Sequence, residues 1–312
     1  MAAHRPSGVD RSLMRVLVTG ATGFLGARVL RRLRLDGHDV VAHGLEPHPP
    51  TWLDQAITYR NGDLADPGDA GRVLADASCD VIVHPAGPVT GGTEDLATGI
   101  EVVTSHARSA LHVMRWAKHA RVVLASSMTV YGLPRAIPIY EDARRAPQHL
   151  YGLAKLVAED IVLADSSRDA WVLRLPGLFS EDRTNGALYH WSLAASRGEP
   201  IRVAAMTPTA WNVLHVDDAA LAIGRAVTAR RTIPTPCAIN VAYDAPIELV
   251  AVARLVAELG AKGSPVIFPE HIVHPVSRLA IERARALLGW QPPILRERLA
   301  TLVAAYARGA TQ

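Results

Sequence analysis

An α/β fold built on a doubly wound parallel sheet is what this sequence predicts, and two observations carry that expectation. Short β-branched runs alternate with longer helical patterns through the first half of the chain, and a glycine-rich turn joins the first run to the first helix. Such alternation implies right-handed crossovers and a sheet covered on both faces. The chain has 312 residues, 49% hydrophobic and 20% charged, enough for one large domain with a smaller appendage, and disorder is excluded.

Taken in order, strands are expected at residues 15–19, 39–42, 80–84, 121–126 and 171–175, with a further short strand ahead of Asn61-Gly62-Asp63. Helices are expected at 26–35, 69–77, 96–119 and 151–163, the last two with apolar stripes to lay on the sheet. After Pro176 the pattern loosens, and prolines and glycines such as Gly198, Pro200, Pro234 and Pro236 punctuate shorter segments. The expected organisation is a sheet domain over 13–176, with returns to the sheet near 212–242, and a smaller lobe made mainly of residues 177–312.

Several function classes are disfavoured. No apolar run approaches the length that spans a bilayer, and residues 1–12 read as a frayed polar leader, so a soluble cytoplasmic protein without membrane contact is expected. The two cysteines, Cys79 and Cys237, form no CxxC pair and have no histidine cluster beside them, which argues against a disulfide framework and a metal site. The formal charge is only +3, and the densest basic cluster, Arg28, Arg31, Arg32 and Arg34, reads as the solvated face of one helix, so no nucleic-acid partner is expected.

The first strand, Val16-Leu17-Val18-Thr19, runs into Gly20-Ala21-Thr22-Gly23-Phe24-Leu25-Gly26, and a helical pattern follows at once. In such a loop the first glycine permits a tight turn, the second lets backbone approach a pyrophosphate, and the third lets helix pack closely on strand. The helix start then offers free N–H groups and a positive dipole end to phosphate. Gly20, Thr22, Gly23, Phe24, Leu25 and Gly26 are therefore candidate dinucleotide-binding residues of a Rossmann-type unit. An acid at the end of the second strand would grip the adenosine ribose, yet Gly44 stands there and Glu46 follows two residues late. No arginine follows that strand directly either, which leaves NAD and NADP both open. Asp63, with Leu64 beside it, reads equally as an adenine contact or a turn aspartate.

Tyr151 and Lys155 stand four apart at the start of a helical segment, so both project from one face. A phenol with a pKa of about 10 is a poor acid–base catalyst at neutral pH, and an adjacent ammonium stabilises its phenolate. The strand at 121–126 leads into Ser126-Ser127, and open α/β sheets bind ligands at the C-terminal edges of their strands. A serine hydroxyl there can meet a substrate carbonyl or carbinol beside the phenol.

Seven stretches follow one another across nearly the whole chain. They are residues 19–26, Val81-Ile82-Val83-His84-Pro85-Ala86-Gly87, Ser126-Ser127-Met128-Thr129-Val130-Tyr131-Gly132, residues 151–155, Leu173-Arg174-Leu175-Pro176-Gly177, His215-Val216-Asp217-Asp218 and Leu287-Leu288-Gly289-Trp290-Gln291-Pro292. In that order they resemble the extended short-chain dehydrogenase/reductases, also called the NAD-dependent epimerase/dehydratase family. The resemblance implies a Rossmann-type doubly wound parallel sheet with a smaller C-terminal substrate-binding lobe, and NAD or NADP as cofactor. It makes Tyr151 the acid–base residue, with Lys155 lowering the phenol pKa and holding the nicotinamide ribose, and Ser127 orienting the substrate. Ala86 and Gly87 would line the cofactor, Pro176 and Gly177 would lie near the nicotinamide, and residues 215–218 would be structural. The helices at 96–119 and 151–163 would also form a dimer bundle, so the implied partners are a small-molecule substrate and a second copy of the chain.

Four departures narrow the implied function. Met128 and Thr129 stand where 4,6-dehydratases carry an Asp-Glu pair, which disfavours dehydration. Gly177, Trp211 and residues 270–273 stand where nucleotide-sugar members carry an asparagine and two arginines; Arg183, Arg202 or Arg278 are the available substitutes for the diphosphate grip. The ribose-binding acid is missing from its expected place. Ser105 occupies the place of a network asparagine, with Ser105 or His106 left to fill that role. Trp191, Trp211 and Tyr189 read equally as pocket walls or lobe packing, and His84 as a hydrogen-bonded structural histidine. The expected activity is an NAD(P)-dependent epimerase or reductase acting on a secondary alcohol or ketone of a sugar-like molecule. The alternatives are a ketoreductase on a non-nucleotide natural-product intermediate and a non-catalytic NAD(P)-binding sensor or scaffold.

Overall fold

The computed structural model describes residues 13–75, 78–89, 95–133, 136–203, 212–230, 232, 234–245, 247–268 and 278–309. The leader at 1–12, Trp211 and the stretch 270–273 lie outside the described residues.

The first half alternates strand and helix as expected. Its elements are β1 (Arg15–Val18), α1 (Phe24–Leu35), β2 (Asp39–Gly44), β3 (Thr58–Asn61), α2 (Pro67–Ala75) and β4 (Val81–His84). Then come α3 (Leu96–Trp116), β5 (Arg121–Ser127), a short 3-10 helix (Met128–Tyr131), α4 (Leu150–Leu163) and β6 (Ala170–Leu175). The second half contains β7 (Gly177–Phe179), α5 (Ala187–Arg197), β8 (Ile201–Arg202), β9 (Val213–His215), α6 (Val216–Thr228) and β10 (Cys237–Asn240). It closes with α7 (Leu249–Gly260), β11 (Val266–Ile267), α8 (Glu282–Leu288) and α9 (Leu295–Gly309).

Seven strands form one parallel sheet in the order β10-β6-β5-β4-β1-β2-β3. The chain starts in the middle, winds outward through β2 and β3, and returns to the other side of β1 at β4. That reversal opens a crevice above the C-terminal ends of β1 and β4, where ligands bind in such sheets. Side chains of each strand alternate between two cores, as a pleated sheet covered on both faces requires. Val16 and Val18 face the core shared with α1 and α6, whereas Leu17 faces the core shared with α2, α3 and α4. Trp171 and Leu173 divide from Val172 in the same way.

Of the two expected returns, only Cys237–Asn240 joins the main sheet, beside β6. Val213–His215 pairs instead with Gly177–Phe179 in a separate two-stranded sheet. The reason is local: β7 leaves the main sheet directly after Pro176, and its backbone needs a partner, which β9 supplies. The Gly177 N–H also donates to Asn212 O at 3.1 Å, extending that pairing.

A buried polar network clamps α4 to the sheet. The Glu159 carboxylate accepts from the Arg174 guanidinium at 2.8 Å and from the Ser126 hydroxyl at 2.5 Å. Arg174 also donates to the Tyr131 hydroxyl at 2.8 Å, which in turn donates to Asn240 Oδ1 at 2.7 Å. Glu159 and Arg174 are both shut off from solvent, so each depends on the other for its charge to be tolerated. Replacing Glu159 by Gln leaves a buried guanidinium uncompensated, and we expect a loss of about 3–5 kcal/mol in unfolding free energy, read by urea denaturation. An unchanged midpoint would refute the clamp.

Candidate active site

All fourteen sequence-derived candidates line one cleft of about 1020 Å³ at the C-terminal edge of the sheet, where the glycine loop after β1 meets the ends of β4, β5 and β6. At the loop, Gly20 turns the chain at φ +57°, a conformation that glycine adopts without strain. A Cβ on Gly26 would lie 2.0 Å from the Gly20 carbonyl oxygen, so α1 rests directly on the loop. Helix α1 opens at Gly23 with no side-chain cap and no acid in its first turn, which leaves its leading N–H groups free for an anion.

Histidines fix the turns around this loop. His43, buried at the end of β2, accepts from the Gly20 N–H at Nδ1 (3.2 Å) and donates from Nε2 to the Gly62 carbonyl (2.9 Å). It thereby ties the first crossover to the turn after β3. His84 Nδ1 bonds the Thr19 hydroxyl at 2.8 Å, as a structural histidine does, and burial, with the nearby Lys155 charge, pushes its pKa down to about 3. His106 donates from Nδ1 to the Val102 carbonyl at 3.0 Å and turns a bare, buried Nε2 toward Gly87. A Cβ there would come within 2.5 Å of that nitrogen. Ser105 lines the cleft itself. Asp63 also lines the cleft, while its Oδ1 accepts from the Ala65 N–H at 2.8 Å as a turn aspartate does.

On the other side of the cleft, α4 begins with His149 as its N-cap, its Nδ1 accepting from the Gly152 N–H at 3.0 Å. The His149 ring lies nearly parallel to that of Tyr151, with centroids 6.2 Å apart. Lys155, one turn on, is buried; its ammonium donates to the Ala125 carbonyl at 3.2 Å and sits 5.7 Å from the Tyr151 ring centroid. Ser127 Oγ accepts from both the N–H and the hydroxyl of Thr129, at 3.2 and 3.0 Å. With its acceptor side used, the Ser127 hydroxyl is left to donate toward the cleft. Met128 points away, into the core.

One expectation needs correcting. Lys155 was expected to lower the phenol pKa, but in the protein alone burial dominates and pushes Tyr151 up to about 12, with only the Arg183 charge pulling it down. Burial likewise pulls Lys155 down to about 8. Desolvation disfavours both charged forms, and the ammonium is spent on a carbonyl.

Three residues that position the site were missed in the sequence: His149, His43 and Glu159. Glu159 had a visible signal, because Tyr151, Lys155 and Glu159 follow at four-residue spacing. The aromatics separate as well. Trp191 is packed in the core and donates its indole N–H to the Arg202 carbonyl, and Tyr189 stacks edge-on against Tyr306.

A family model described as the NAD dependent epimerase/dehydratase family matches residues 16–242. The chain belongs to that family. Among curated family relatives, D-erythronate dehydrogenase of Cupriavidus necator is 35% identical over 179 residues, covering 52% of this chain and 55% of that protein. The 2'-dehydrokanamycin reductase of Streptomyces kanamyceticus is 28% identical over 225 residues, covering 69% of this chain and 58% of that protein. The chain spans about half the length of the curated relatives it matches. Among solved structures, Bordetella bronchiseptica WbmG in complex with NAD superposes with a TM-score of 0.78 at 20% identity, covering 95% of each chain. The UDP-glucose 4-epimerase of Thermotoga maritima gives 0.78 at 18% identity, covering 96% of this chain and 100% of that one. At these identities the likeness is one of fold.

The buried ammonium has a pH signature. The folded pKa of Lys155, about 8, lies below its ordinary value of 10.5, so between those values the unfolded chain holds more protons and stability rises with pH. Below pH 8 the penalty is fully present. We expect wild type to gain up to about 3 kcal/mol on Lys155→Met between pH 8 and 10.5 in urea denaturation of the cofactor-free protein. A stability difference that stays flat across that range would show that the ammonium carries no burial penalty.

Proposed function

We propose that the chain is an NAD-dependent oxidoreductase or epimerase acting on a secondary alcohol or ketone of a sugar-like substrate. The observation that carries this reading is the convergence of the glycine loop with Ser127, Tyr151 and Lys155 on one cleft. The cradle fits a dinucleotide: an uncapped helix start faces the phosphates, and Ala86, Gly87 and Pro176 line the path toward Tyr151. A bound nicotinamide supplies the hydride donor or acceptor. Tyr151 keeps its proton at neutral pH and gives it to the oxygen of a substrate ketone, while the Ser127 hydroxyl hydrogen-bonds the same oxygen. In the reverse direction Tyr151 takes the proton back. Lys155 would hold the ribose of a bound cofactor with the ammonium hydrogens left over from its bond to the Ala125 carbonyl. This complete catalytic set argues against a sensor or scaffold. The likeness to 2'-dehydrokanamycin reductase favours, as a second reading, a ketoreductase on a natural-product intermediate.

The same proposal covers the remaining features. Residues 13–176, with the return at β10, form the cofactor domain, and α5, α7 and α9 form most of the substrate-binding lobe. Leu96, Ile100 and Leu111 make an exposed apolar stripe along α3, the surface expected of a homodimer, whose mass sedimentation would read. Two unpaired cysteines suit a reducing, cytoplasmic setting.

Glu46 favours NAD over NADP. Its carboxylate folds back to the strand end, within 2.6 Å of where a Cβ on Gly44 would stand, and Tyr59 donates to it and to its carbonyl. Its own backbone N–H, ahead of the Thr22 and Tyr59 hydroxyls, holds the carboxyl below its usual range. A carboxylate there accepts ribose hydroxyls and repels a 2′-phosphate. Calorimetry should find NAD bound more tightly than NADP, and Glu46→Arg should move that ratio toward NADP by roughly tenfold or more. Equal affinities in wild type would remove Glu46 from this role.

Tyr151→Phe tests the mechanism itself. It deletes one hydroxyl, so folding and cofactor affinity should persist while turnover falls by about 10²- to 10⁴-fold. Near-full turnover on a sugar-like ketone would place the proton donor elsewhere. The same assay on dTDP-glucose should yield no 4-keto-6-deoxy product, because Met128 is core and Thr129 is committed to Ser127.

A further inference from the structure

We propose that Arg183 is an anion clamp for the substrate, so that the site beside Tyr151 takes a polyhydroxy carboxylate. This rests on the functional reading above and narrows it to a substrate class.

Arg183 follows β7 and lines the cleft with Ser127 and Tyr151. Its guanidinium is held in place three ways. Nε donates to Asn185 Oδ1 at 2.6 Å, Nη1 donates to the Leu178 carbonyl at 2.5 Å, and the planar group lies 5.3 Å from the Phe24 ring centroid. The Tyr306 hydroxyl donates to the Arg183 carbonyl at 2.9 Å and fixes the backbone. Every one of these partners is neutral. They orient the fork without cancelling its charge, and among the described residues no carboxylate pairs with it. The adjacent carboxylate, Asp182, is taken by Arg28 at 2.5 Å.

An oriented, unneutralised guanidinium in a cleft is matched by a ligand anion. Its charge reaches the reacting centre, since Arg183 is the neighbour that draws the Tyr151 phenol down against burial. The other candidate arginines do not compete: Arg202 is exposed on β8, and Arg278 lies 3.7 Å from Asp244. With Nε and one Nη1 hydrogen committed, about one edge of donors remains, which suits a single planar carboxylate. Among the described residues the other cation lining the cleft, Lys155, is buried and bonded to Ala125, so it adds no free charge beside the guanidinium for a larger anion such as a second phosphate group. Thr184 and Asn185 also line the cleft, where their polar side chains can meet hydroxyl groups.

The cofactor's pyrophosphate is the other anion within reach, because Phe24 belongs to the first turn of α1. The experiment separates the two sources. The protein saturated with NADH is titrated calorimetrically with four- to six-carbon aldonates, with the corresponding neutral polyols, and with UDP-glucose, in wild type, Arg183→Met and Arg183→Lys. NADH affinity is measured separately in each. We expect wild type to bind an aldonate, and Arg183→Met to lose roughly 10- to 100-fold of that affinity. Arg183→Lys should retain part of it, polyol binding should be unaffected, and NADH affinity should stay within about twofold. The proposal is overturned if no aldonate binds wild type, if Arg183→Met binds it unchanged, if UDP-glucose alone shows the loss, or if NADH affinity falls instead. Failure of the clamp on any of these readouts leaves the wider functional reading intact, because that reading fails only on the Tyr151→Phe test.

Discussion

The Glu159–Arg174 pair is the constraint on which the rest of the site depends. Helix α4 carries Tyr151 and Lys155 on its inner face, and two turns of helix leave their height above the sheet undetermined until something pins that face down. Glu159 does this one turn below Lys155, gripping Arg174 from β6 and Ser126 from β5. Two buried charges are costly apart and tolerated together, so the pairing admits one register of α4 on the sheet. Ser127 then follows Ser126 into the cleft, and the Ala125 carbonyl one residue earlier receives the Lys155 ammonium. The network continues through Tyr131 to Asn240, which brings β10 to the edge of the sheet. Catalytic geometry and sheet closure therefore share one set of hydrogen bonds.

The cofactor end is organised on a different principle. Glycines bring backbone into places that side chains would fill, and histidines fasten the resulting turns. His43 bridges Gly20 and Gly62, His84 holds Thr19, and His106 packs against Gly87. Each imidazole is small enough to bury and offers one donor and one acceptor when neutral. Burial keeps all three on the neutral side by lowering their pKa values. Neutral rings leave the positive field of the cleft to the helix start, Lys155 and Arg183.

Burial also sets the chemistry. It raises the Tyr151 phenol and lowers the Lys155 ammonium, so the two proton affinities move apart and the phenol becomes the group that holds its proton more tightly. A tyrosine that holds its proton has one to give to a ketone oxygen, and the nearby charge of Arg183 tempers its reluctance to release it. The expectation drawn from helix spacing alone took the ammonium to be the dominant influence. It neglected desolvation, which acts on every group that the helix carries inward.

How much was legible follows from the range of the forces involved. Local pattern decided the alternation of strands and helices, the glycine turn and the Tyr151–Lys155 face, because each depends on residues a few positions apart. Motif order then placed fourteen residues on one cleft, and the structure brings all of them there. Even the displaced acid was visible as Glu46, although only folding shows its carboxylate returning to the empty side of Gly44. The pairing of β9 with β7 rather than with the main sheet was not legible, since strand partners far apart in sequence compete on equal terms until the chain is packed. The same holds for His43, and for which of Arg183, Arg202 and Arg278 would face the cleft. A histidine between two turns is defined by partners 19 and 23 residues away, Gly62 and Gly20, and the Arg183 guanidinium by the distant Phe24 ring together with its near neighbours Leu178 and Asn185. The sequence determined which groups could do the chemistry; tertiary structure decided which of them are charged, which are paired, and which face the substrate, because charge and pairing depend on burial.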